Sequence, residues 1–479
     1  MRERDALLAT KLRVPRSHDV LVRPRLLERL DEAAGRELLL VSAPAGFGKS
    51  TLLAEWSRGA GRPVAWVSLD ADDNDPARLW RYLLAAIGQL RPGLEERAVP
   101  LLHAPHQPAL EALVTAVVNE LAAARHELRI VLDDYHVIES RPIHDSLALL
   151  LERLPPGVQV TIAGRGDPPL PLARMRARGQ LVEVRAEDLR FTPEEAVSLM
   201  REVWGLDLPE ASVLELGERT EGWVTGLQLA ALTLRRGVDP SGFIKGFGGG
   251  HRYVLDYLTG EVLERQPDPL RRFLLDTSIL ERLSGALCDA VTGRSDGQRM
   301  LEDLERADLF LVALDEERRW YRYHRLFADL LRVRLRAEDA ERPPRLHRRA
   351  AAWFEEQGLI DDAVRHAMAA GDPRRAARLV EESFDEVLRR AEGATLRRWL
   401  AALPAEVVRS RPRLSLAQAV AAYNAGRLEA VEPLLEDAER ALAERPEAAR
   451  EGPAALSPDE SALANLPAAI ALLRAGLAW

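Results

Sequence analysis

Over the first 190 residues, short apolar runs alternate with amphipathic stretches. The runs Leu38–Ser42, Val64–Leu69, Leu128–Leu132 and Val158–Arg165 predict buried strands, and Leu181–Val184 is a candidate fifth. Trp80, Leu83, Leu84 and Ile87 recur at helical spacing, and Leu110–Leu121 and Ile143–Leu154 predict further helices. Leu21–Leu27 opens a short amphipathic helix ahead of the first strand. Strands alternating with helices predict an α/β domain: a parallel sheet with helices on both faces, ending near Leu189.

Beyond Thr192 the period changes. Thr192-Pro193-Glu194-Glu195 has the cap residue, proline and acids of a helix start. Helices are predicted to about Arg235, and the glycine-rich stretch Arg236–Gly250 reads as a flexible joint. Helices resume at His251. Leu309–Leu314 and Trp320–Tyr323, separated by a charged turn, predict a β-hairpin followed by another helix, the order of a winged helix. Past Pro343-Pro344 the pattern is helical throughout. Ala350–Ala370 and Leu416–Leu442 each read as two helices around Gly358 or Gly426, with small and aromatic residues at similar places upstream of each turn. Such units resemble stacked helical hairpins of the tetratricopeptide kind. Glu451–Glu460 reads as a loop, and the pattern at Trp479 is still apolar and helical, so the repeat array is expected to be incomplete. The expected domains are 1–190, 191–250, 251–342 and 343–479.

Composition narrows the class. With 47% hydrophobic and 29% charged residues the chain is globular, and a net charge of −9 gives no overall attraction to nucleic acid. A single cysteine, Cys288, allows no internal disulfide. Residues 1–20 have no apolar core of a leader, and no apolar run reaches the ~18 residues of a membrane span. The expectation is a soluble, cytoplasmic, multi-domain protein without membrane partners.

The chemistry concentrates after the first strand, in Ala43-Pro44-Ala45-Gly46-Phe47-Gly48-Lys49-Ser50-Thr51. Strand, glycine loop and helix N-terminus in this order are the context of a phosphate-binding P-loop. Gly46 and Gly48 let backbone N–H groups converge on an anion, and the helix dipole points at the same place. Lys49 is placed to reach the β and γ phosphates and Ser50 to reach Mg²⁺. Ala43 stands where the strict pattern has its first glycine. Lysine occurs only at Lys11, Lys49 and Lys245, so one of very few ammonium groups occupies the position that needs one.

Leu132-Asp133-Asp134 ends a predicted strand about 80 residues further on, as a Walker B pair does. Asp133 is the candidate Mg²⁺ residue, and Asp134 the candidate that orients or deprotonates an attacking water. Arg165 closes the next strand, where a cation can sense a γ-phosphate; a surface arginine in Gly164-Arg165-Gly166-Asp167 is the open alternative. The glycines of Thr220-Glu221-Gly222-Trp223-Val224-Thr225-Gly226 read as close helix packing. The arginines between 332 and 349 are interleaved with acids and read as a solvated helix face.

Several stretches together resemble one family: Thr10-Lys11-Leu12, Leu21-Val22-Arg23-Pro24-Arg25-Leu26, the P-loop, Asp133-Asp134-Tyr135-His136, the segment from Arg174 to Leu181, Thr220-Glu221-Gly222-Trp223, and Tyr321-Arg322-Tyr323-His324-Arg325-Leu326-Phe327. The family is that of the MalT-type, large ATP-binding regulators of the LuxR family, STAND-class signalling ATPases, and the resemblance covers nearly the whole chain. It implies nucleotide-binding, helical, winged-helix and helical-repeat domains. It also implies that Val22 and Arg23 lie by the adenine, Lys49, Ser50 and Thr51 at the phosphates, Asp133 and Asp134 at Mg²⁺ and water, and Arg165 at the γ-phosphate. His324 resembles the winged-helix histidine that touches the ADP phosphate. Gln228 departs from the proline of many relatives outside the family.

The resemblance implies a switch that binds ATP or ADP with Mg²⁺ and is a slow ATPase at most. A small-molecule or protein inducer on the helical repeats would favour ATP and self-association. The family ends in a DNA-reading helix-turn-helix, and no such basic helix is legible after Pro343, so DNA binding by this chain is not expected. A constitutive ATPase enzyme, and a truncated regulator acting without its own DNA-binding domain, remain as alternatives.

Overall fold

The computed structural model describes residues 7–16, 20–59, 61–102, 110–124, 127–235, 239–389, 393–424, 426–444 and 465–477. The loop read at 451–460 lies outside them. The chain divides into two units, one of Met1–Arg271 with Arg299–Leu331, the other of Arg272–Gln298 with Arg332–Trp479. The segment 251–342 is thus shared between them.

In the first unit the five apolar runs are strands: β1 Leu38–Ser42, β2 Val64–Ser68, β3 Leu128–Asp133, β4 Val158–Gly164 and β5 Leu181–Val184. They form one parallel sheet in the order β2-β3-β4-β1-β5. Every residue of β1, β3 and β4 is buried, which explains why these strands read as mainly apolar runs, with Arg129, Gln159 and Thr161 as buried polar members. The register Ser42↔Gly164 and Leu132↔Ile162 brings the ends of β1, β3 and β4 level. That shared carboxyl edge is where open α/β sheets bind ligands. Helices Pro24–Glu32, Lys49–Gly59, Pro76–Gly88 and Arg141–Glu152 connect and cover the strands. The buried indole of Trp80 donates to the Ser146 hydroxyl at 3.0 Å, so its N–H stays paired inside the core.

The predicted helix start at Thr192 is present as a full capping box, Thr192 with Glu195, ahead of Pro193–Ser198. Within the glycine-rich stretch read as a flexible joint, the described part, 239–250, is ordered structure rather than open chain. It carries the helix Pro240–Gly246, capped by the Asp239 carboxylate on the Gly242 amide. A Cβ built on Gly249 would lie 2.1 Å from the Leu326 carbonyl, so this glycine serves close packing. The hairpin is β6 Leu311–Ala313 and β7 Tyr321–Tyr323, with Leu311 opposite Tyr323.

The second unit is helical. Arg342–Glu356 and Ile360–Ala369 turn at Gly358 (φ +68°), and Pro412–Asn424 and Val431–Ala443 turn around Gly426 (φ +71°). Positive φ is why glycine marks these repeat turns. Among the described residues no helix is long and apolar enough to cross a membrane.

Candidate nucleotide-binding site

The P-loop leaves β1 and enters the helix Lys49–Gly59, with Gly46 at φ +76° and Gly48 at φ +78°. A Cβ on Gly46 would stand 2.4 Å from Thr225 Oγ1, so glycine is required there by space as well as by conformation. Lys49 is buried, and its ammonium donates to the carbonyls of Ala43 at 2.6 Å and Pro44 at 2.9 Å. Burial, reinforced by the Arg165 charge, pulls its pKa down to about 8. The Ser50 hydroxyl donates to Asp133 Oδ1 at 2.9 Å. This is the pairing that a divalent cation at a P-loop uses. Burial and the neighbouring Asp134 push the Asp133 carboxyl up to about 6. Asp134 adopts left-handed backbone (φ 59°) and its side chain is half exposed.

Arg23, Gly46, Gly48, Ser50 and Thr51 line one cavity of about 700 Å³, together with Phe191, Trp204, Thr225 and Gln228. That volume suits a nucleotide. The buried Arg23 guanidinium lies 4.4 Å from the Phe191 ring centroid and donates to the Leu189 carbonyl at 2.7 Å. Val22 is 51% exposed and does not line the cavity, whereas its neighbours Leu21 and Arg23 do. Ala43 is buried and contributes its carbonyl to Lys49. Arg165 is near enough to lower the Lys49 pKa, but its own partner is Glu261, through the backbone carbonyl at 3.1 Å and the carboxylate at 3.4 Å.

His324 sits apart from the cavity-lining set. Its ring is buried, with Nε2 3.0 Å from the Thr220 carbonyl and ring centroids 6.2 Å from Trp223 and 5.6 Å from Phe310. Burial lowers its pKa to about 4, so the imidazole is neutral. A carbonyl only accepts, so Nε2 carries the proton. Nδ1, buried and without a hydrogen-bond partner among the described residues, holds a lone pair.

Three contacts here have no local sequence signal. Trp223 Nε1–H donates to the Ala45 carbonyl at 3.1 Å, and the Thr225 hydroxyl to the Gly46 carbonyl at 2.9 Å. Ser42 donates to Asp308, 266 residues away, at 2.7 Å. The P-loop is therefore held from outside the sheet by the start of the helix Val224–Leu234 and by the residues before β6.

Residues 23–162 match the AAA ATPase domain family and residues 259–343 the MalT winged helix domain. The HTH-type transcriptional regulator MalT of Serratia proteamaculans (strain 568) is 36% identical over 446 residues, 91% of this chain and 49% of that protein. The chain is MalT-like. The serine/threonine-protein kinase PknK of Mycobacterium tuberculosis (strain H37Rv) is 37% identical over 414 residues, 85% of this MalT-like chain and 37% of the kinase. The chain thus spans about half the length of its MalT relative and little more than a third of the kinase. Among solved structures, a STAND protein with a tetratricopeptide repeat sensor from Pyrococcus horikoshii aligns over 89% of this chain and 59% of that one, at 17% identity and a TM-score of 0.37. The matched families thus place an AAA ATPase domain and a MalT winged helix domain in this chain, ahead of a helical C-terminal region.

Proposed function

We propose that this chain is a nucleotide-dependent switch that binds ADP or ATP with Mg²⁺ and turns over slowly. Residues 1–190 would bind the nucleotide, 191–250 and 251–342 would respond to it as helical and winged-helix domains, and 343–479 would carry the surface for a small-molecule or protein inducer. The ATP form would self-associate. The carrying observation is that Trp223 and Thr225 bond directly to P-loop carbonyls. Any ligand that changes the loop changes those contacts, and differential contact between two states is what a switch requires.

The residues suit the ligands proposed. Left-handed glycines, a buried ammonium and a cavity with an apolar wall at Phe191 and Trp204 fit a nucleotide. Ser50 and Asp133 would hold Mg²⁺, which would neutralise phosphate charge. Asp134 would orient a water, and Arg165 would exchange Glu261 for a phosphate oxygen. Arg23 would place the base at the Phe191 end of the cavity.

Equilibrium titration of the chain with fluorescent ADP and ATP, followed by sedimentation with each, tests this reading. Binding of both nucleotides, with self-association in ATP, is the expected result. Rapid hydrolysis independent of any added inducer would favour a constitutive ATPase instead.

A further inference from the structure

Residues 306–310 run back onto the carboxyl edge of the sheet. A Cβ built on Gly166 would lie 2.2 Å from the Arg306 carbonyl, a measure of how tightly that segment is applied. It then takes two side-chain-bearing residues through left-handed backbone, Asp308 at φ 47° and Phe310 at φ 53°. Aspartate tolerates this region better than most residues, whereas phenylalanine does so only when its surroundings fix it. They do: the Phe310 ring lies 6.1 Å from Phe47 of the P-loop and 5.5 Å from Trp223.

This geometry places a buried carboxylate at the phosphate end of the site. Asp308 Oδ2 accepts from the Ser42 hydroxyl at 2.7 Å. The next residue, Ala43, gives its carbonyl to the Lys49 ammonium at 2.6 Å. Asp308 feels the Lys49 charge, and Arg185 and Asp167 also face it. Its hydrogen-bond donor is a neutral hydroxyl, and the cations acting on it are Arg185 and, more weakly, Lys49, the ammonium that a bound phosphate chain would use.

We propose that Asp308 is a specificity-determining residue, whose buried charge makes the form described here prefer a nucleoside diphosphate over the triphosphate. The inference rests on the P-loop reading above. An additional phosphate brings more negative charge towards the same low-dielectric region, and the repulsion from Asp308 acts more strongly on the triphosphate than on the diphosphate.

The test is Asp308→Asn in the full chain, which keeps size, tolerance of positive φ and an acceptor for Ser42 while removing the charge. Asp308→Gly, suited to the same backbone, is the second variant. ADP and ATP are titrated against a fluorescent nucleotide with Mg²⁺ present. At an effective dielectric of about 20, one unit charge about 10 Å away changes affinity by roughly tenfold. Both variants should therefore narrow the preference for ADP by roughly that factor, chiefly through tighter ATP binding. An unchanged ATP-to-ADP affinity ratio in either folded variant overturns the inference. A wild-type chain that binds neither nucleotide overturns the P-loop reading instead.

Discussion

The indole N–H of Trp223 donates to the carbonyl oxygen of Ala45 at 3.1 Å, across 178 residues of sequence. Trp223 is fully buried, and its ring also meets Tyr257, Phe310 and His324. One side chain thus joins the P-loop to the helical segment and to the hairpin of the same unit.

Trp223→Phe keeps most of the ring but leaves the Ala45 carbonyl without this donor. An unsatisfied buried acceptor costs about 1–3 kcal/mol. If the bond restrains the loop, release of fluorescent ADP in stopped flow should accelerate by roughly tenfold or more. Wild-type release together with a wild-type Tm would show that the loop holds its shape without it.

Lys49→Ala should abolish binding of both nucleotides while leaving the fold intact, because among the described residues the ammonium's hydrogen bonds go to the loop carbonyls of Ala43 and Pro44 and not to the core of the sheet. Equilibrium titration beside circular dichroism checks this. Undiminished affinity in a folded variant would refute the assignment of the loop.

Asp134→Ala should slow hydrolysis and keep ATP bound, since Ser50 and Asp133 remain paired. Asp133→Asn should instead weaken the Mg²⁺-dependent part of binding. Single-turnover hydrolysis and titration with and without Mg²⁺ separate the two. Equal, wild-type rates in both variants would remove these carboxylates from the chemistry.

His324 predicts two pH effects. Its folded pKa of about 4 lies below the ordinary value of 6.5 because the ring is buried. Between those values the unfolded chain takes up a proton that the folded chain refuses, so stability falls as pH drops through that window. His324→Gln should flatten this part of the denaturation profile. If Nδ1 meets a phosphate while Nε2–H stays on Thr220, the ring must be imidazolium. ADP affinity would then rise on acidification more in wild type than in the variant. Parallel pH profiles would make His324 a packing residue.

The Arg322 guanidinium holds Glu221 with two bonds of 2.8 Å, and the Arg325 amide donates to the same carboxylate at 2.9 Å. Burial alone would raise the Glu221 pKa, but the Arg322 guanidinium and the Arg325 amide hold it below the usual carboxylate range. A double-mutant cycle with Glu221→Gln and Arg322→Met should give a coupling on the order of 1 kcal/mol by chemical denaturation. Additive effects would mean that the pair contributes nothing beyond its separate contacts.

The sheet and the P-loop were legible because their causes are local. Fully buried strands are mainly apolar in sequence, and Gly46 and Gly48 supply left-handed backbone that the next residues turn into a helix start. The part 239–250 departs from the expected joint because glycine signals both freedom and close approach, and Gly249 serves the second. Asp308, Trp223 and Glu261, the partner of Arg165, are illegible as site residues for a different reason. Their positions follow from where distant segments dock, and one residue's neighbours in sequence do not encode that. The imidazole of His324 was assigned from resemblance alone, and its hydrogen bond to Thr220 was not readable from sequence.

The scarcity of lysine gives a practical handle. Lys11 is tied to Asp70 and Asp73 at 2.7 and 2.5 Å, which keeps its amine protonated. Lys49, depressed to about 8, carries a substantial unprotonated fraction just above neutral pH. An acylating reagent at that pH should therefore mark Lys49 ahead of Lys11 and Lys245 once the pocket admits it, and nucleotide should shield it. Peptide mapping of the acylated chain, which separates the Lys49 peptide from the labelled α-amino group, would then read pocket occupancy from one side chain, without a fluorophore on the ligand.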